Sequence, residues 1–170
     1  MYGAIQKYVM TPTRRLVFGA AFSIASMVGC VPAFATDPVN TGYFGGIAIM
    51  GYDPVAYFTE GRPMKGSEEF SYDWLGTLWQ FASSKHRELF IGDPTKYAPQ
   101  YGGYCVGEVA SNGATINIDP EAWAIIDGKL YLSYSKENME KFKANPSGEL
   151  AKAEANWPAV ETQLAQDGFQ

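Results

Sequence analysis

One cysteine and one histidine supply the side chains in this sequence that are best suited to chemistry. The 170-residue chain contains two cysteines, Cys30 and Cys105, and a single histidine, His86. Cys30 lies in an N-terminal segment with the pattern of an export signal, so removal of that segment would leave Cys105 as the only thiol. A lone thiol in an oxidising compartment cannot form an internal disulfide. We therefore expect Cys105 to be buried, reactive or bound to a ligand.

Cys105 is a candidate nucleophile or soft-metal ligand. Its thiol pKa would fall from about 8.5 only beside a cation, a helix N-terminus or a metal. Because no second cysteine remains, redox chemistry would have to pass through sulfenic acid or a mixed disulfide with another molecule. Packing as a small hydrophobic residue is the alternative, since free cysteines are among the most buried residues.

His86 is the candidate partner of this thiol. It stands four residues before Phe90 at the start of a predicted helix, so its ring faces either solvent or Cys105. If the two meet, the pair gives an activated thiol or a two-coordinate Cu(I) site, because thiolate and imidazole both suit copper. A closed zinc site needs four Cys or His ligands. Two are too few unless carboxylates or a partner chain complete the site.

A pocket around the thiol is predicted from the tyrosines and glycines near Cys105. Glycine lets the backbone approach a ligand or a neighbouring chain closely. The predicted pocket residues are Tyr52, Tyr101, Gly102, Gly103 and Tyr104. The alternative for the tyrosines is core packing with one hydrogen-bonded hydroxyl. Glu108 is expected on the opposite face of the same strand as Cys105, and so is a poor base for its thiol.

The N-terminus predicts export to the periplasm. Basic residues precede an uncharged apolar run, Leu16–Val31, and Ala33-Phe34-Ala35 provides a small-x-small cleavage site. The interrupted run is shorter than the ~20 apolar residues of a membrane-spanning helix. Thr13–Phe18 resembles a twin-arginine signal. We predict a signal peptide over 1–35, with lipoprotein processing at the lipobox-like Met27–Cys30 as the alternative.

The remaining chain suits one compact domain of about 135 residues. Removal of residues 1–35 takes away three basic residues and no acidic one, so the formal net charge goes from −5 to −8. Such a surface repels nucleic acid, and no basic stripe offsets it. Residues 36–46 are predicted to be a flexible lead-in to a domain over 47–170.

Local patterns predict an α+β fold of antiparallel hairpins with packed helices. The predicted elements are a short helix capped by Asp53, a hairpin over 68–82 around Leu75-Gly76, a helix from Ser83 or Ser84 to Ile91, a helical turn over 94–97, a strand over 101–110, a hairpin over 123–134 around Asp127-Gly128, a helix from Ser135 to Ala144, and a last helix from Ser147 that Pro158 kinks or splits.

Several motifs resemble the YHS-domain family, and more closely its exported stand-alone branch, the YHS domain-containing (seleno)proteins. The motifs that carry the resemblance are Gly51–Phe58, Phe81-Ala82-Ser83-Ser84, Phe90, Asp93-Pro94, Lys96-Tyr97, Tyr101–Cys105 and Asn156-Trp157-Pro158. The resemblance covers nearly the whole mature chain. It implies a YHS-like fold more strongly than an activity.

The resemblance also bears on the thiol. The wider family is linked to metal binding through a Phe-Cys-Ser-x-x-Cys pattern, and alignment at Phe81 puts Ala82 at its first cysteine and His86 at its second. In the stand-alone branch, the position of Cys105 is one where relatives can carry selenocysteine. This implies a thiol that is used chemically.

Three functions follow as hypotheses. The first is an exported binding or sensing module that holds a soft metal such as Cu(I) at Cys105, with His86 as second ligand. The second is a one-cysteine redox protein, for which a redox partner protein is expected. The third is a structural or partner-binding domain in which Cys105 is a buried packing residue.

Overall fold

A computed structural model describes residues 39–43 and 45–167 of the chain. The predicted signal peptide and Cys30 lie outside the described residues. In chain order, the described helices and strands are α1 (Ala56–Thr59), β1 (Ser67–Trp74), β2 (Thr77–Phe81), α2 (Ser84–Gly92), α3 (Pro94–Tyr97), α4 (Val106–Asn112), β3 (Asp119–Ile126), β4 (Lys129–Ser133), α5 (Lys136–Ala144) and α6 (Pro146–Asp167). Two 3-10 turns, Ala48–Gly51 and Tyr101–Gly103, complete them.

Both predicted hairpins are confirmed. β1 pairs with β2 and β3 with β4, each pair antiparallel, and within the described residues they form two separate two-stranded sheets. Positive φ values at Leu75-Gly76 (54° and 68°) and at Asp127-Gly128 (50° and 75°) make both connections tight turns whose twist matches the strands. With helices packed around these sheets, the α+β fold class is confirmed.

Side-chain caps begin the middle helices where the sequence predicts them. The Ser83 hydroxyl accepts a hydrogen bond from the His86 backbone N–H at 3.2 Å, and the Ser135 hydroxyl accepts one from Asn138 N–H at 3.1 Å. Asp93 accepts from Lys96 N–H at 3.2 Å at the start of α3. Each cap satisfies a backbone donor that the first helical turn leaves without a partner.

The predicted strand over 101–110 is wrong. Its first part is a 3-10 turn and its second part is the helix α4. Val106, Val109 and Ala110 recur at helical spacing and are buried, the last two against α6. Glu108 therefore lies on a helix and not on the far face of a strand. Its N–H donates to the carbonyl of Cys105 at 3.1 Å.

Two further segments differ from expectation. α6 continues through Pro158 as a single 22-residue helix, so the predicted split does not occur. Asn40, in the predicted lead-in, is buried, and its N–H donates to Gly102 O at 2.8 Å while its side chain donates to Gly103 O at 3.1 Å. In the described part of the chain, no helix has the length and apolarity to span a membrane.

The core is built largely from aromatic rings. The main cluster joins the two hairpins with the turn at Ala48–Gly51, and Phe90 from α2 lies 5.1 Å from the ring centroids of both Trp79 and Phe81. Smaller clusters lie under α5 and between α4 and α6. Cys105 belongs to the main cluster and has no exposed surface.

Candidate functional site

Cys105 lies at the junction of α4, β4 and α5. It precedes α4, forms a parallel bridge to Leu132 of β4, and donates its N–H to Ile116 O at 3.1 Å. Its sulfur lies 3.5 Å from the hydroxyl of Ser133, and Asn138 Nδ2 donates to it at 3.4 Å. The thiol is therefore fully buried but has two polar neighbours.

Left-handed backbone at three successive residues brings this segment into the core. The φ values of Tyr101, Gly102 and Gly103 are 53°, 60° and 79°. A Cβ atom at Gly103 would lie 2.7 Å from Ile49 Cγ2, so only glycine lets the chain pass this close. The sequence predicts a close approach to a ligand or a neighbouring chain, whereas at Gly103 the close approach is made to the core of the protein itself.

Asp53 is a second buried hydrogen-bond centre. It has no exposed surface, and its Oδ1 accepts from the N–H groups of Val55 at 2.8 Å and Ala56 at 3.3 Å. Its Oδ2 accepts from Ala82 N–H at 2.8 Å and lies 2.6 Å from His86 Nδ1. Because an ionised carboxylate can only accept, Nδ1 carries the proton of that bond. Asp53 thus ties α1, the end of β2 and α2 together.

His86 and Cys105 are not hydrogen-bonded to each other. The Nε2 atom of His86 lies 3.2 Å from Thr59 Oγ1 and 3.6 Å from Glu60 Oε1, whereas the polar neighbours of the thiol come from β4 and α5. Among residues 39–43 and 45–167, no group of three or more His, Cys, Asp and Glu side chains is arranged to hold a metal ion. The imidazole of His86 is thus hydrogen-bonded to the Asp53 carboxylate, whereas the polar contacts of the Cys105 thiol are with other residues.

The tyrosines of the predicted pocket lie in different places. Tyr52 packs against the main core cluster, with Lys65 Nζ 4.3 Å from its ring centroid. Tyr104 packs between α4 and α6, and burial raises its pKa. Tyr101 stacks edge-on against Trp157 at 5.5 Å. Of the predicted pocket residues, Tyr101 and Gly102 line the cavity between the two hairpin turns and α6, whereas Tyr52, Gly103, Tyr104 and Cys105 do not line it.

This cavity, which we call the tryptophan pocket, has a volume of about 530 Å³ and opens to solvent. It lies between the two hairpin turns, the segment 93–102 and α6. Its lining residues are Val39, Trp74, Leu75, Trp79, Asp93, Thr95, Lys96, Ala98, Pro99, Gln100, Tyr101, Gly102, Gly128, Lys129, Trp157 and Glu161. Small-molecule sites in proteins typically have volumes of about 300–1,000 Å³ and aromatic walls with a few polar groups.

The burial of Tyr101 can be tested by measuring how the stability of the protein changes at alkaline pH. Burial, followed by the proximity of Tyr131 and Glu154, raises the pKa of Tyr101 from 10.0 to about 12. The folded state therefore holds this proton more tightly than the unfolded state, and the resulting stability is complete below pH 10 and is lost between pH 10 and about 12.

We expect Tyr101→Phe to flatten the fall in the free energy of unfolding across this range. Other buried tyrosines, including Tyr57, also have a raised pKa, so part of the fall remains. Urea unfolding at intervals from pH 8 to pH 11.5 measures both proteins. Identical pH slopes for the two would contradict the assignment.

Three parts of these sites are not predicted from the sequence. They are the buried network around Asp53, the position of Ser133 and Asn138 beside Cys105, and the contact of Trp157 with Tyr101. The one available signal was local: Asp53 stands just before a predicted helix, as a cap does. The other contacts join segments far apart in the chain, which leave no local pattern.

Comparison with protein-family models, curated proteins and solved structures gives no match to this chain. The geometry of the described residues is therefore the basis for inferring function.

Proposed function

We propose that this chain is an exported, YHS-like binding domain that holds a small ligand in the tryptophan pocket, with Cys105 as a core residue. The observation that carries the proposal is the pocket, which has the volume of a ligand site. Its walls include the partly exposed rings of Trp74, Tyr101 and Trp157. Large flat rings of this kind offer stacking area to an apolar or aromatic ligand.

The segment Tyr101–Cys105 links this pocket to the core. Its first two residues line the cavity, its third packs against Ile49, and its last places a sulfur in the core beside Ser133 and Asn138. In the proposed function the thiol supports the backbone that shapes the pocket wall. This proposal keeps the buried cysteine of the third hypothesis, a structural or partner-binding domain, and adds a small-molecule site that the sequence did not predict.

Indole binding tests the pocket, because indole is a neutral ring with the size and shape to stack on these walls. We expect saturation-transfer NMR to detect weak, saturable binding of indole, and Trp157→Ala to abolish it.

Trp123→Ala is the matched control, since Trp123 is also half-buried and packs edge-on against a tyrosine, Tyr57, at 5.2 Å, but lies outside the pocket. Circular dichroism establishes that both variants fold. Equal loss in both, or no binding by indole and its charged derivatives, would overturn the proposal.

A second function, thiol redox chemistry or soft-metal binding at Cys105, has one observation in its favour. The amide of Asn138 donates to the sulfur, and Ser133 lies beside it, so the thiol has polar neighbours that a purely apolar core would not provide.

Alkylation of the thiol separates the two functions. For a core residue we expect iodoacetamide to modify native Cys105 at least about a hundred-fold more slowly than the protein in urea, because reaction requires opening of the structure. Anaerobic titration with Cu(I) should then give the same curve for the wild type and Cys105→Ser. Rapid native alkylation that slows in Asn138→Ala, or Cu(I) binding that Cys105→Ser abolishes, would favour the second function instead.

A further inference from the structure

The charged side chains of the tryptophan pocket differ in whether they already have partners. Asp93 accepts hydrogen bonds from Thr95 Oγ1 at 2.9 Å and from the Lys96 backbone. Lys96 places its ammonium over the ring of Tyr97, 5.0 Å from the centroid. These interactions are local to α3 and its cap.

Lys129 and Glu161 are different. Both line the pocket, and neither forms an ion pair or a side-chain hydrogen bond with any residue in 39–43 or 45–167. They carry opposite charges and come from separate elements: Lys129 begins β4 after the hairpin turn, and Glu161 lies on α6 one turn beyond Trp157. Among the described residues, the pocket thus offers the ammonium of Lys129, the carboxylate of Glu161 and aromatic walls, and the ammonium of Lys96 is held only by its contact with the Tyr97 ring.

We propose that the tryptophan pocket takes a small aromatic zwitterion of the amino-acid class. The ligand's carboxylate would pair with Lys129, its ammonium with Glu161, and its ring would stack against Trp157 and Trp74. A ligand with both charges satisfies both side chains, whereas an anion or a cation alone satisfies one and leaves the other unpaired. This inference rests on the proposed function, since it assigns the chemistry of the same cavity.

A panel of compounds that share the indole ring system and differ in charge tests the proposal by isothermal titration calorimetry. The probes are L-tryptophan (zwitterion), tryptamine (cation), indole-3-propionate (anion) and N-acetyltryptophanamide (neutral). Ion pairs at a solvent-open site contribute little each, so we expect about three-fold tighter binding per satisfied charge and about ten-fold for tryptophan over the neutral probe. Raising the salt concentration should reduce this advantage.

Charge-neutralising variants assign each contact. Lys129→Met should weaken tryptophan and indole-3-propionate about three-fold and leave tryptamine unchanged, and Glu161→Gln should weaken tryptophan and tryptamine but not indole-3-propionate. Lys152→Met is the control, because Lys152 pairs with Glu149 on α6 and does not line the pocket. If all four probes bind equally and Trp157→Ala abolishes their binding, the ligand site in the pocket is supported and the zwitterion inference fails. If none binds, the proposed function fails as well.

Discussion

Replacing Asp53 by alanine is expected to lower the free energy of unfolding by about 3–5 kcal/mol, because several buried donors lose their acceptor and each costs roughly 1–3 kcal/mol when it is left unsatisfied. The substitution removes the acceptor of three backbone N–H groups, those of Val55, Ala56 and Ala82, and of the Nδ1 proton of His86. Because Asp53 has no exposed surface, water cannot replace it without opening the structure. Urea unfolding followed by tryptophan fluorescence measures the loss.

Asp93→Ala is the matched control. Asp93 also precedes a proline and caps a short helix, but it is exposed, so its removal should cost only about 0.5–2 kcal/mol, as for an ordinary N-cap. Asp53→Asn should fall between the two alanine variants, because the amide oxygen still accepts hydrogen bonds while the charge opposite His86 is lost. Similar losses for Asp53→Ala and Asp93→Ala would show that the buried network contributes nothing beyond capping.

These two aspartates also show which structural features can be predicted from the sequence alone. Both stand in an Asp-Pro pair before a helix. Asp93 caps α3 as predicted, whereas α1 begins only at Ala56 with Val55 at its N-cap position, so Asp53 accepts from Val55 and Ala56 where the preceding turn enters the helix. Only the tertiary fold distinguishes them, since it brings the end of β2 and His86 onto Asp53 and leaves Asp93 in solvent. Turn and cap chemistry is local and therefore predictable, whereas burial of one carboxylate depends on segments about 30 residues away.

The helix α4 shows a different kind of error. The spacing of Val106, Val109 and Ala110 carries a helical period, but the β-branched residues and preceding aromatics favoured a strand. Contact with Ala153 and Trp157 on α6 decides the outcome in the structure. The helical signal was present in the sequence and was outweighed by residue propensity, which tertiary packing commonly overrides.

The sequence contains no comparable pattern from which the neighbours of the Cys105 sulfur could be predicted. Ser133 ends β4 and Asn138 lies in the first turn of α5, and their contact with the sulfur depends on how the second hairpin packs against the start of α4. Gly107 illustrates the same limit, because a Cβ atom there would overlap the side chain of Asn138. Glycine in a helix would ordinarily be taken as a weak point, but here it makes room for the amide beside the thiol.

Gly103→Ala is the second substitution with a large expected effect. The residue has a φ of 79°, in the left-handed region, which costs an alanine roughly 1–2 kcal/mol. Its new Cβ would also lie 2.7 Å from Ile49 Cγ2 and 3.1 Å from Pro99 Cγ, and overpacking of a core typically costs about 1–3 kcal/mol more. We therefore expect the free energy of unfolding to fall by about 2–5 kcal/mol.

Gly128→Ala isolates the packing part of this loss. Gly128 has nearly the same φ, 75°, but no atom lies within 4 Å of the position of its Cβ, so only the backbone cost of about 1–2 kcal/mol applies. Both glycines can be compared by urea unfolding under the same conditions. The difference between the two variants measures how tightly the segment Tyr101–Cys105 is held against Ile49, and equal losses would mean that the core yields to the added methyl group. Because Tyr101 lines the pocket in the same segment, a large difference should be accompanied by weaker indole binding in Gly103→Ala than in the wild type, which is the reference here because Gly128 also lines the pocket.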